Sequence, residues 1–222
     1  MGTQPGWDPD TVAVWWSVAD GDERRKAHTV AVRAAARLRG VAASGIRVAH
    51  QAGGRPFLDG AARGLQVSLS HGRGVWAVAL GGSSRFELGV DVEVVRPLPA
   101  LGLARRYLAA AEARWLAGLG PVERETAFMW LWTQKEAVGK ALGLGLRGGG
   151  MSRPVPVPAV WPPAGAGEAP PLAGLPLDPD TASAAVLTGG GRYVVGVAVH
   201  GPGGAAAARV RVCRAEPVDE GG

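Results

Sequence analysis

The chain has 222 residues, 47% of them hydrophobic, which suffices for one large domain or two small ones around a buried core. A net charge of +5 suits an anionic partner, yet no Lys/Arg block of the nucleic-acid-binding kind occurs, and no apolar run approaches the roughly 20 residues that span a bilayer. We therefore expect neither a nucleic-acid nor a membrane partner. The N-terminus lacks a basic stretch followed by an apolar one, and the lone Cys213 has no internal disulfide partner, so a cytoplasmic protein is expected.

Residues 11 to 18 are rich in valine and tryptophan and predict an opening strand. Asp22 can cap a helix that Gly40 ends, with Val30, Ala34 and Leu38 as its apolar stripe. Arg24, Arg25, Lys26, His28 and Arg33 lie along its start and sides. They form either a solvated charged face or a phosphate-binding one. A short strand follows at 46–50, then a turn through Gly53, Gly54, Arg55, Pro56 and Phe57, where proline pushes Arg55 towards an extended conformation. Residues 65–70 and 75–80 read as an antiparallel pair joined by Gly72, Arg73 and Gly74. Ser70 and His71 sit where the first strand ends. No G-x-S-x-G elbow accompanies them, which argues against a nucleophilic Ser–His pair.

The stretch from Phe86 to Val94 reads as a buried strand with valines 90, 92 and 94 on one face. Asp91 and Glu93 then share the other face. Two anions side by side on an apolar strand repel each other and lose hydration, and a divalent cation relieves both costs. A helix over 100–118 should follow, with Glu112 inside it, and a second from Pro121 to about Leu142. Trp132, Glu136 and Lys140 are four apart on that second helix and stack on one face, offering a third carboxylate and an ammonium group. Three carboxylates and a lysine suit a metal-bound phosphate ester, although Glu136 and Lys140 could instead form a simple surface ion pair. The glycines at 143 and 145 break the helix and do not spell a phosphate loop. Residues 154–179 hold nine of the 17 prolines and read as loop rather than core. A final strand pair is expected at 192–199 and 208–212, with a frayed tail over 216–222.

Gly89-Val90-Asp91-Val92-Glu93, followed about 45 residues later by Trp132-Thr133-Gln134-Lys135-Glu136-Ala137-Val138-Gly139-Lys140, resembles the paired signature of the Sfp-type 4′-phosphopantetheinyl transferases, G-x-D-x-E and W-x-x-K-E-x-x-x-K. Ser68-Leu69-Ser70-His71 and Gly54-Arg55-Pro56-Phe57 resemble two further motifs of that family. The resemblance implies an α+β fold of two similar α/β halves related by a pseudo-twofold axis, here 1–95 and 96–222, with a Pro/Gly-rich loop at about 147–180. It implies transfer of the 4′-phosphopantetheine arm of coenzyme A to a serine of apo acyl or peptidyl carrier proteins, releasing 3′,5′-ADP. Asp91, Glu93 and Glu136 would hold Mg²⁺, with Mn²⁺ an alternative metal. Arg55, Ser70, His71, Lys135, Lys140 and, more loosely, His28 would hold coenzyme phosphates. Glu136, Glu112 or a bound water would take the serine proton, and Lys140 would assist the chemistry. The family usually has lysine where Arg55 stands; arginine keeps the charge and adds a fork of donors. The carrier is expected to dock near the helix over 100–118, and a monomer would be self-sufficient. The alternative reading is a non-catalytic module that binds coenzyme A or carrier protein.

Overall fold

The computed structural model describes residues 8, 10–82, 85–147, 149–163, 170–203 and 208–215; the expected tail over 216–222 lies outside them. Two four-stranded sheets form its centre. Strand β1 (Thr11–Val18) leads into helix α1 (Glu23–Arg39), a small antiparallel pair β2 (Ile46–His50) and β3 (Pro56–Gly60), and a hairpin of β4 (Gln66–Gly72) and β5 (Val75–Gly81). Strand β6 (Glu87–Val94) follows, then α2 (Ala100–Tyr107), α3 (Ala110–Gly118) and α4 (Arg124–Ala141). The described chain continues with β7 (Ala173–Leu175), β8 (Asp178–Thr188), β9 (Tyr193–His200) and β10 (Arg209–Arg214). The strand order is β10-β1-β5-β4 in one sheet and β6-β9-β8-β7 in the other. The expected α+β class holds, and no described helix is long and apolar enough to cross a membrane.

The inner faces of the two sheets share one core, which includes Val14, Trp16, Val90, Val92, Val197 and Val212. Helix α1 covers the outer face of the first sheet. Asp22 caps it by accepting from the Arg25 amide, and Gly40 ends it in the left-handed conformation. Its buried side is mostly alanine, with Ala27, Ala31 and Ala35 fully enclosed, so the helix lies close to Trp76 and Val78. Helix α4 covers the outer face of the second sheet. Two glycines let it approach there. A Cβ on Gly89 would lie 1.9 Å from the Ala137 carbonyl oxygen, and one on Gly196 would lie 2.6 Å from that of Thr133.

The structure corrects several sequence expectations. The segments 192–199 and 208–212 do not pair with each other. Strand β9 sits between β6 and β8, and β10 runs parallel to β1, with Thr11 opposite Arg209 and Trp16 opposite Arg214. The partner of β9 is the unforeseen β8, whose alanines and serine carry weak strand propensity but bury well between neighbours. The expected turn over 53–57 is shorter, since Pro56 and Phe57 already belong to β3. The helix over 100–118 breaks at Leu108 and Ala109, both extended, because the Glu112 carboxylate accepts from the Ala109 amide and starts a new helix. Part of the proline-rich stretch is core after all: Val155 is buried, and Trp161 packs edge-on against both Trp115 and Trp130.

Gly89→Val drives a side chain into the Ala137 backbone. We expect a loss of at least about 2 kcal/mol, measured by urea unfolding, and a variant as stable as the wild type would show that α4 can lift off the sheet.

Candidate active site at the junction of the two sheets

Strand β4 is the edge of one sheet and β6 the edge of the other, and they lie side by side without a backbone ladder between them. Side chains replace that ladder. The Val90 amide donates to Ser68 Oγ at 3.0 Å, and Ser70 Oγ donates to Asp91 Oδ1 at 2.7 Å. Lys140 Nζ reaches in from α4 and donates to the Val90 carbonyl at 2.8 Å, to Asp91 Oδ1 at 2.9 Å and to the Leu69 carbonyl at 3.4 Å. Each group stands here for a local reason. Gly89, Asp91 and Glu93 share the face of β6 turned to α4, and Gly89 lets the helix close in so that Lys140 spans the gap.

Trp132, Glu136 and Lys140 are the half-buried residues of an otherwise buried stretch of α4, as their four-residue spacing predicts. Glu136 and Lys140 do not form a simple surface pair; Lys140 is taken by Asp91. Burial raises the Glu136 carboxyl, and the Asp91 charge raises it further, against the pull of Lys140. Burial also pushes Glu93 up to about 7, with Asp91 and Glu136 adding repulsion and Arg96 and Arg73 opposing it. The three carboxylates therefore feel one another's charge, although among the described residues no three His, Cys, Asp or Glu side chains gather into a formed metal cluster. Asp91 Oδ2 is buried without a hydrogen-bond partner. An orphaned carboxylate oxygen beside two crowded carboxylates is a donor set that fits a hard divalent cation.

A cleft of about 270 Å³ opens next to this cluster. Arg55, Ser68, Leu88, Lys140 and Arg147 are among the residues lining it. Lys140 also acts electrostatically on His71, which belongs with Arg24, His28 and His50 to a further group of basic residues. The rings of His28 and His50 stack with centroids 5.7 Å apart. Burial lowers the pKa of His28, and the charges of Arg24, His50 and His71 lower it further. His71 is lowered by burial, then by Arg24 and Lys140, with Glu23 opposing. Glu23 itself accepts from the Gly74 amide at 2.8 Å and ties α1 to the β4–β5 turn. A phosphate arriving among these groups would offset the part of that lowering which comes from neighbouring positive charge.

Arg55, Ser70, His71, Lys140, Asp91, Glu93, Glu136 and His28 thus border one region. Lys135 and Glu112 do not. The Lys135 ammonium and the Glu112 carboxylate form an ion pair at 2.7 Å, with side chains 0% and 3% exposed. Glu112 also accepts from the Ala109 amide at 2.9 Å and the Val155 amide at 2.8 Å, while Lys135 donates to the Arg153 carbonyl. Both side chains are thus occupied by local partners, and neither lines the cleft. Together they pin the 153–155 segment to α3 and α4. His50 and Arg147 escaped the sequence reading. His50 comes in through the β2–β3 register, which sets it opposite Pro56, and neither it nor Arg147 carries a signal in the sequence.

Two outcomes follow from these charges. Glu93 holds its proton more readily in the folded chain than at the ordinary value of 4.5, so the metal-free protein should lose stability as pH rises from about 4.5 to about 7. Urea unfolding at pH 5 and pH 7 should show this slope, and Glu93→Gln should flatten it; equal slopes for both proteins would refute the assignment. Lys135→Met leaves a buried carboxylate unpaired and should cost about 3–5 kcal/mol. Unchanged unfolding of that variant would mean that Glu112 finds another counter-charge.

Residues 87–160 match the model of the 4′-phosphopantetheinyl transferase superfamily. A provisionally named 4′-phosphopantetheinyl transferase of Synechocystis sp. is 37% identical over 98 residues, covering 43% of this chain and 39% of that protein. HetI, a 4′-phosphopantetheinyl transferase of Nostoc sp., is 31% identical over 110 residues, covering 48% of this chain and 46% of its own. The chain spans less than half the length of the curated relatives it matches. The stretch that carries Asp91, Glu93, Lys135, Glu136 and Lys140 is thus a match to the 4′-phosphopantetheinyl transferase superfamily.

Proposed function

We propose that this protein transfers the 4′-phosphopantetheine arm of coenzyme A to a serine hydroxyl of an apo acyl or peptidyl carrier protein, releasing 3′,5′-ADP. The observation that carries this reading is the meeting of Asp91, Glu93, Glu136 and Lys140 beside a cation-lined cleft, within the segment that matches the superfamily. The serine oxygen forms a bond to the phosphorus bearing the pantetheine arm, and the bond from that phosphorus to the bridging oxygen breaks.

Asp91, Glu93 and Glu136 would hold Mg²⁺ or Mn²⁺, which supplies charge neutralisation on the pyrophosphate oxygens. Lys140 keeps Asp91 Oδ1 oriented and presents its charge to the cleft. Ser70 fixes the same oxygen from the opposite side. Arg55 and the group of His28, His50 and His71 would bind the remaining phosphates. Glu136, directly or through a bound water, would accept the serine proton. Glu112 has no part in the transfer.

The strand orders also favour two similar halves. The elements β1, α1, β4 and β5 repeat as β6, α4, β8 and β9: strand, helix, hairpin, with the last strand between the first and the third. We place the division ahead of β6 rather than at residue 95, since β6 pairs with β9. With both halves in one chain, a monomer would suffice. The lone Cys213 is in keeping with the reducing cytoplasm.

Intact-mass spectrometry of an apo carrier protein incubated with this protein, coenzyme A and Mg²⁺ should show the gain of one phosphopantetheine, abolished by EDTA. Asp91→Asn keeps an oxygen for Ser70 and Lys140 but removes the charge, so it should fold normally and lose at least about 100-fold in rate. Near-normal turnover by that variant would remove Asp91 from the metal site. Coenzyme binding with no mass gain across several carriers would favour the non-catalytic module instead.

A further inference from the structure

Glu87 begins β6 four residues ahead of Asp91, and nothing in the reading above employs it. Its Oε2 lies 2.6 Å from Nη2 of Arg55. The same Nη2 donates to the Ala141 carbonyl, at the end of α4, at 3.3 Å. The Arg55 backbone is fixed separately. The Gln51 amide donates to the Arg55 carbonyl at 2.9 Å, the Gly54 amide donates to the Gln51 carbonyl at 2.8 Å, and Gly54 turns the chain at a φ of 84°. Pro56 restricts what remains. The loop thus delivers the side chain to the cleft wall, and Glu87 and Ala141 decide where the guanidinium stops.

These contacts use one nitrogen of the fork, and the others remain to donate in the plane of the group. The cleft that Arg55 lines is also lined by Lys140 and Arg147, so three cations repel one another around one space. Glu87 offsets that repulsion at Arg55. Its side chain is 47% exposed, so the pair contributes little to stability and its value is geometric.

We infer that Glu87 is a positioning residue for ligand binding: it holds Arg55 so that the unused donors of the guanidinium meet a phosphate of the molecule in the cleft. The inference rests on the assignment of that cleft to coenzyme A. Without Glu87 the arginine must be ordered at the moment of binding.

The test is calorimetric titration of coenzyme A into the full chain with Mg²⁺ and no carrier, for wild type, Glu87→Ala, Glu87→Gln, Arg55→Ala and the Arg55→Ala/Glu87→Ala double variant. Glu87→Ala should weaken binding about three- to tenfold, the order expected for immobilising one long side chain. Glu87→Gln should lose less, since its amide oxygen still accepts from Arg55. Both Glu87 variants should melt with the wild type. In the Arg55→Ala background, Glu87→Ala should have no further effect. Unchanged or tighter binding by Glu87→Ala, or an equal further loss in the Arg55→Ala background, would overturn the inference. A wild type that binds no coenzyme A would overturn the cleft assignment and this inference together. Normal wild-type binding with insensitive Glu87 variants would remove the role of Glu87 alone.

Discussion

Two sheet edges are buried against each other at the centre of this molecule, and their free backbone groups must find partners. A buried amide or carbonyl left alone costs about as much as a lost hydrogen bond, and a regular ladder between β4 and β6 is absent. The chain answers with side chains. Ser68 takes the Val90 amide, and Lys140 serves the carbonyls of Leu69 and Val90. The groups that seal the junction are the same ones that border the cleft. The seal and the cleft wall therefore share atoms here, and Lys140 belongs to both.

The seal works only because α4 lies low on the second sheet. Gly89 and Gly196 remove the side chains that would hold it away, and Asp91 sits opposite Gly196 in the β6–β9 register. The helix brings Glu136 with Lys140 to the same edge. The result is a concentration of carboxylates that burial makes unfavourable and that Lys140, Arg96 and Arg73 relieve in part. It is this crowding that the cation of the proposed function would relieve.

Which residues meet at the junction was largely legible in the sequence, and the architecture that brings them there much less so. Alternation of valine with Asp91 and Glu93 has a physical period, and so does the four-residue column of Trp132, Glu136 and Lys140; both survive folding. Lys135 and Glu112 misled because their fate depends on contacts with residues 109, 153 and 155, which no local pattern encodes. The proline-rich stretch misled in the same way, since Trp161 finds its place only against Trp115 and Trp130. Strand β8 carried small residues whose suitability for a strand is decided by neighbours on both sides. Pairing of β10 with β1 is a matter of topology, which periodicity cannot reach.

That last pairing has a bearing on how the molecule is made. During synthesis β1 emerges early, and its antiparallel neighbour β5 can join it within some 70 residues. Its other edge faces water until residues from 209 onward leave the ribosome. Throughout that interval the nascent chain displays an open, apolar strand edge of the kind that pairs with strangers. Late closure by β10 makes the first sheet depend on the last described strand, so ribosomal pausing or premature release would expose the β1 edge while most of the cleft residues had already been translated.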